Sequence, residues 1–357
     1  MAIVAEFDIK YSQYLNEKGE LTQPLPSFAE NSDTLLNLYK TMTLARAFDT
    51  KAIALQRTGK MGTYAPIHGQ EAISTAIGHA MAKDDVLVPY YRDYAAQIQR
   101  GIKMSEIYAY WGGDERGSDF DIGNQDLPIC VPIASQCLHA AGVAFAFKHR
   151  GEKRVAVVSI GEGGTSEGDF YEAINVAGAW NLPVVFIVNS NYWAISVPRD
   201  KQTACQTIAQ KAIAAGFEGL QVDGNDVVAM REAMEQALNK AKLGKGPTLI
   251  EALTYRLCDH TTADDATRYQ PSEEVEQAKE QEPIERLKNY LIGQKLWDDS
   301  QEQELSQYCS QQVQLAVDEY FNRTPQAITD IFDYHYAELP DCLIEQRGQA
   351  MEEVENA

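Results

Sequence analysis

The stretch Arg154–Ser196, RVAVVSIGEGGTSEGDFYEAINVAGAWNLPVVFIVNSNYWAIS, decides the fold. Arg154–Ile160 is a short β-branched run, the mark of a buried strand. It breaks at Gly161-Glu162-Gly163-Gly164-Thr165. A helical pattern follows, with Ser166 expected as its N-cap and Asp169 in the capping-box position. Phe170, Ile174, Ala177 and Gly178 share one face of that helix. Pro183 stops it, and Val184–Val188 reads as a second buried strand. Strand, glycine turn, helix and strand make a βαβ unit, so the two strands are expected to be parallel neighbours.

Ligands of open α/β sheets bind at the carboxyl ends of strands. The first strand ends on Glu162, flanked by Gly161, Gly163 and Gly164. Glycines let backbone N–H groups approach an anion, and a helix N-terminus adds its positive dipole end. The second strand ends on Asn189, Ser190 and Asn191. A carboxylate oxygen, an amide oxygen and a peptide carbonyl are hard ligands. Two phosphate oxygens and a water would complete the octahedron that Mg²⁺ requires. The turn alone fits a plain tight turn equally well. It is neither a Walker loop nor the dinucleotide fingerprint, because no Lys-Ser/Thr follows and Thr165–Glu167 break the glycine spacing. The acid on one strand end paired with an amide on the next is what points to a diphosphate held through a metal.

That pairing resembles the thiamine-diphosphate motif, which opens with Gly-Asp-Gly and closes with Asn-Asn after the next strand. The longer match, GEGGTSEGDFYEAINVAG through AIS, is similar to the alpha subunit of the thiamine-dependent first component of 2-oxo acid dehydrogenase complexes. The resemblance implies that Glu162, Asn191 and the Trp193 carbonyl bind Mg²⁺ and that Gly163 and Gly164 contact the diphosphate. Glu162 stands where Asp is usual, as in branched-chain members, and Ser190 replaces the first Asn. The resemblance runs from about Ser32 to Leu343.

The 357 residues carry a net charge of −21, which argues against nucleic acid as a partner and suits a basic protein partner or simple solubility. Cys130, Cys137, Cys205, Cys258, Cys309 and Cys342 are scattered without a CxxC and read as reduced thiols. No apolar run approaches the roughly 20 residues that span a bilayer, and no signal pattern opens the chain. A cytoplasmic protein without a membrane span is expected.

In chain order, residues 1–31 form a polar extension. Ser32 or Asp33 is expected to cap a long helix that buries Leu35, Leu38, Met42, Ala45, Phe48, Ala52 and Leu55 and ends at Gly59. His68 precedes a helix that restarts near Gln70, and reads as a structural hydrogen-bonder or a catalyst. Val86–Pro89 is strand-like and leads into Tyr90-Tyr91-Arg92-Asp93. An Arg there can fork onto phosphate oxygens or pair with Asp93 at the surface. The resemblance makes Tyr91 and Arg92 cofactor contacts. Gly112–Gln125 is a Gly/Asp-rich loop, long enough to be functional. Before a helix that runs to about His149, the resemblance places backbone groups of Val131 and Ile133 against the aminopyrimidine. It also places Ser135 and Gln136 at a monovalent-cation position of some relatives.

Past the central unit, Gln206–Ala215 reads as a helix, Leu220–Asp223 as a strand, Asp226–Leu243 as a helix and Thr248–Leu257 as an alternating strand. The loop CDHTTADDATRY follows. Asp264, Asp265 and Arg268 are expected to tie it down through ion pairs. By resemblance His260 contacts the diphosphate and gives a proton during transfer to the lipoyl group. Gln270–Ala357 is helical and acidic, with a solvated tail from Glu345. The expected fold is α/β, a doubly wound, mostly parallel sheet flanked by helices with a helical C-terminal part, forming one domain over residues 32–344 and a tail over 345–357.

The resemblance implies half an enzyme. A beta subunit would supply the carboxylate that activates the aminopyrimidine, in an assembly of two alpha and two beta chains. A lipoyl-bearing dihydrolipoyl acyltransferase would take the acyl group from a small 2-oxo acid. TYAP and HGQE resemble pyruvate enzymes, whereas GEG, VPIAS and HTTADD lean to branched-chain ones. Pyruvate is the expected substrate. The alternatives are a branched-chain 2-oxo acid, a non-catalytic partner of a beta subunit and a self-sufficient phosphate-binding enzyme.

Overall fold

The structure, a computed structural model, describes residues 1–120 and 125–355. The chain threads six parallel strands into one sheet: β1 (Lys10–Ser12), β2 (Val86–Val88), β3 (Ala156–Gly161), β4 (Val184–Ser190), β7 (Glu218–Asp223) and β8 (Thr248–Leu253). The order is β1-β7-β8-β4-β3-β2, and a two-stranded hairpin of β5 (Trp193–Ala194) and β6 (Val197–Pro198) stands apart. The expected βαβ unit forms, with β3 and β4 parallel and Gly161 opposite Asn189.

Every residue of β4 is buried. Its apolar side chains divide by the two-residue period of a strand. Val185 and Ile187 join a core with helices α1 (Ser32–Arg57), α2 (Glu71–Ala80) and α9 (Val227–Lys242). Val184, Phe186 and Val188 join a core with α5 (Ser135–Arg150) and α6 (Gly168–Ala179). Helices therefore cover both faces, and the doubly wound expectation holds. A third cluster packs the second half of α1 against α3 (Tyr94–Gln99), α4 (Met104–Trp111) and α12 (Asp299–Phe321). Phe48 stacks on Tyr108 at 4.5 Å and Tyr64 on Tyr94 at 5.3 Å within it.

Several local expectations are corrected. Glu162–Ser166 is a 3₁₀ turn, and α6 begins only at Gly168 after Glu167, whose side chain caps nothing. Ser166 instead meets the side chain of Gln202. Asn31, not Ser32 or Asp33, caps α1. The helix expected over 206–215 is reduced to α8 (Lys211–Ala214), and just before it the Ala209 N–H donates to the buried Glu251 carboxylate instead of to a helical carbonyl. β8 stops at Leu253 and is buried on both faces rather than alternating. Asp264 and Asp265 are held by hydrogen bonds, and among the described residues no ion pair joins them to Arg268. The tail is a helix, Asp341–Glu355, and its side chains are largely exposed. Of the Gly112–Gln125 loop, residues 121–124 lie outside the described residues.

Two helical glycines make opposite predictions. A Cβ at Gly178 in α6 would lie 1.9 Å from the Ala215 carbonyl oxygen, whereas one at Gly142 in α5 meets nothing within 4 Å. Gly142→Ala is expected to stabilise by about 0.5–1 kcal/mol through helix propensity. Gly178→Ala is expected to cost about 1–3 kcal/mol through overpacking. Denaturant midpoints of the purified variants check both signs.

Candidate functional site

The site is built where β3 and β4 end side by side. Glu162 follows the last residue of β3 and is buried. Asn191 follows β4, and its backbone N–H donates to Glu162 Oε2 at 3.1 Å. The acid and the amide residue of adjacent strand tips therefore converge. Glu162 Oε1 is buried with no hydrogen-bond partner among the described residues. Burial pushes the carboxyl up to about 7, opposed by the Asn191 N–H. Asn191 Oδ1 accepts from the Trp193 N–H at 3.2 Å, and its Nδ2 donates to Gln70 Oε1 at 3.1 Å. The amide oxygen keeps a second lone pair. An orphaned carboxylate oxygen beside a half-used amide oxygen is a donor set that fits a hard cation.

These groups open on a cavity of about 210 Å³. It is lined by Tyr91, Arg92, Ile133, Gly161, Glu162, Gly163, Gly164, Asn191, Trp193 and His260, ten of the residues singled out from the sequence. Val131 is not among the lining side chains and is about half exposed. The two inner glycines are needed for space. A Cβ on Gly163 would meet Ala194 at 2.6 Å, and one on Gly164 would meet Ile160 and Ile133 at 2.7 and 2.8 Å. Ile195, which lines the cavity, and Ala134 and Tyr192, each next in sequence to a lining residue, hold positive φ angles of 57°, 70° and 68°. Such strained backbone collects where a site must be shaped.

The opposite wall is cationic. Arg92 is buried and donates to the Pro66 carbonyl, to the His260 carbonyl at 2.8 Å and to His260 Nδ1 at 3.1 Å. The expected alternative of an Arg92–Asp93 surface cluster does not occur. Asp93 is buried and accepts from the Tyr90 N–H and the Ser159 hydroxyl. Arg256, which sequence reasoning passed over, donates to Ile195 O at 2.9 Å, Tyr269 Oη at 2.6 Å and Cys258 O at 3.1 Å. Its signal was an Arg inside an apolar run, hidden by extending the strand to Leu257. Gln70, bonded to the Asn191 amide, and Tyr90, which lines the cavity, were also missed. Ser135 is turned onto the Pro132 carbonyl at 2.6 Å, while Gln136 lines the cavity.

A guanidinium offers only donors, so Nδ1 of His260 accepts from Arg92 and the ring proton is assigned to Nε2. Burial and then the two arginines lower the His260 pKa to about 3. The His260 N–H donates to Asp264 at 2.8 Å, and the Tyr269 hydroxyl closes onto the same carboxylate. The loop is tied down a second time by Thr262, whose N–H donates to the Tyr64 carbonyl at 2.8 Å. Tyr64 is in turn held by Asp49 at 2.7 Å. His68 stands off the cavity with Nε2 3.1 Å from Asp49. Among the described residues no helix is long and apolar enough to cross a membrane.

With the geometry established, comparison with known proteins is informative. A family model described as dehydrogenase E1 component matches residues 39–328. The chain is 39% identical over 337 residues to the pyruvate dehydrogenase E1 component subunit alpha of Staphylococcus aureus (strain Mu50 / ATCC 700699), covering 94% of this chain and 90% of that protein. It is 38% identical to the protein of that name from Mycoplasma genitalium, covering 94% of each chain. It is 39% identical to the one from Staphylococcus epidermidis, covering 94% and 90%.

The depressed His260 pKa has a defined sign. The unfolded ring takes up a proton below its ordinary value near 6.5, and the folded ring does not until about 3. This histidine therefore contributes stability that is present above pH 6.5 and is lost as pH falls below it. The stability difference between the native chain and His260→Gln is expected to shrink from pH 7 to pH 5. A difference that grows over that range would contradict the assignment.

Proposed function

The chain belongs to the dehydrogenase E1 component family, and on that premise we propose that it is the alpha subunit of a thiamine-diphosphate-dependent pyruvate dehydrogenase. The reaction is the oxidative decarboxylation of pyruvate, with transfer of the acyl group to the lipoyl group of a dihydrolipoyl acyltransferase. The relatives' names favour pyruvate over a branched-chain 2-oxo acid and over a non-catalytic partner. When bound, thiamine diphosphate supplies the electron sink that lets a 2-oxo acid lose CO₂.

The observation that carries the reading is the 3.1 Å contact between Glu162 and Asn191 over the glycine turn. We assign Mg²⁺ to Glu162, Asn191 and the Trp193 carbonyl. We assign the diphosphate to the Gly161–Gly164 turn, Tyr91, Arg92 and His260. Val131 and Ile133 are assigned to the ring of the cofactor through their backbone groups. Arg92 and Arg256 supply positive charge to an anion in the cavity and hold His260 neutral. His260 Nε2–H then offers a hydrogen bond without carrying a charge, and the ring gives a proton only after taking one up. Among the described residues two carboxylates line the cavity, the buried Glu162, assigned to the cation, and the exposed Glu167. The carboxylate that works on the pyrimidine is therefore assigned to a beta subunit. Exposed Val131, Ile133, Ile195 and Val197 around the opening are the apolar surface such a partner would cover.

We read residues 32–344 as the cofactor-binding domain, 1–31 as an extension and 345–357 as a tail, with two alpha and two beta chains in the assembly. A cytoplasmic setting suits the six free cysteines.

In the alpha–beta assembly, calorimetric titration is expected to show Mg²⁺-dependent binding of thiamine diphosphate that is lost in Glu162→Ala and in Asn191→Ala. Turnover on pyruvate is expected to exceed turnover on 3-methyl-2-oxobutanoate. The reverse order would overturn the substrate, and unaltered binding in both variants would overturn the site.

A further inference from the structure

The outer side of the glycine turn is tied by donors that do not line the cavity. The Glu162 carbonyl accepts from Thr165 Oγ1 at 2.6 Å and from Gln202 Nε2 at 3.2 Å. Gln202 Nε2 also reaches the Gly163 carbonyl at 3.4 Å. Lys211 Nζ donates to the Thr165 carbonyl at 2.7 Å and to Thr165 Oγ1 at 3.0 Å. Because Oγ1 accepts from the ammonium, its own proton is directed onto the Glu162 carbonyl. The three groups form a polarised chain from Lys211 through Thr165 to the turn.

In a trans peptide the C=O and the following N–H point in opposite directions. Holding the Glu162 and Gly163 carbonyls from outside therefore aims the N–H groups of Gly163 and Gly164 to the inner side. Both glycines line the cavity there, and none of Thr165, Gln202 and Lys211 does.

Lys211 is only 4% exposed. Its ammonium lies 5.0 Å from the Tyr171 ring centroid and meets only neutral groups. Among the described residues no carboxylate lies within ion-pair distance of it. A buried cation without a counter-ion is costly unless something compensates it. An anion bound on the other side of the turn would compensate it.

We propose that Lys211, acting through Thr165, and Gln202 are positioning residues for the cofactor's diphosphate, holding the glycine turn in its anion-binding orientation and adding positive charge behind it. This rests on the reading of the cavity as the diphosphate site.

The test uses the alpha–beta assembly with Mg²⁺ and two probes, thiamine diphosphate and inorganic diphosphate, each titrated calorimetrically. Lys211→Met keeps the length and apolar stem but removes the charge and the donors. It is expected to weaken both probes by about tenfold or more, the scale of a hydrogen bond to a charged group. Lys211→Arg is expected to recover most of that loss. A lower thermal midpoint with both affinities intact would mean a merely structural lysine and would overturn the proposal. So would failure of Lys211→Arg to bind better than Lys211→Met. Should Lys211→Met fail to assemble, Gln202→Leu at its partly exposed position carries the test, and unchanged affinities there overturn the proposal. The parent reading fails separately, if the native assembly binds neither probe.

Discussion

The contact that the rest depends on is the hydrogen bond from the Asn191 backbone to the Glu162 carboxylate. It exists because β3 and β4 are parallel neighbours in a fixed register, so that Gly161 faces Asn189 and the next residues share one edge. A slip by one residue would turn the buried sides of both strands over and carry the acid away from the amide. The two cores prevent such a slip, because successive β4 residues are committed to opposite faces. The site's geometry is thus secured by side chains that never touch it.

Burial around that contact creates an electrostatic imbalance. A carboxyl pushed up to about 7, Arg92 and a histidine held near 3 line one small cavity, and Arg256 is buried behind the histidine. The chain as a whole carries −21, yet the cavity is lined by Arg92 and backed by the buried Arg256. Local charge opposite to the net charge is the arrangement that concentrates an anion at one place on an acidic protein. The loop bearing His260 belongs to this balance. Asp264 and Tyr269 close it from one side, and the Asp49–Tyr64–Thr262 chain ties it to the segment that also supplies the Pro66 carbonyl to Arg92.

Much of this was legible in the chain of letters. The βαβ unit, the α1 stripe from Leu35 to Leu55 and Glu162 and Asn191 fall where hydrophobic period and glycine turns put them, and Arg92 and His260 line the cavity as the family resemblance implied. Local signals failed where the chain met the sheet's end. Ser166 looks like a cap and is drawn instead to Gln202, 36 residues away. Residues 206–210 carry helical pattern, but Ile208 and Ala209 are drawn into the core and the Ala209 N–H is bonded to the buried Glu251. Arg256 looks like a strand residue and is a buried cation.

By itself the sequence determined that β3 and β4 are parallel neighbours, that β4 is buried and that Glu162 and Asn191 meet at the carboxyl edge, since each follows from spacing along the chain. Only the tertiary structure decided the protonation of His260, the burial of Arg256 behind it and the partners of Lys211. Those depend on groups up to 168 residues apart being brought within hydrogen-bond distance in a medium that screens charge poorly. No pattern along the chain encodes that proximity.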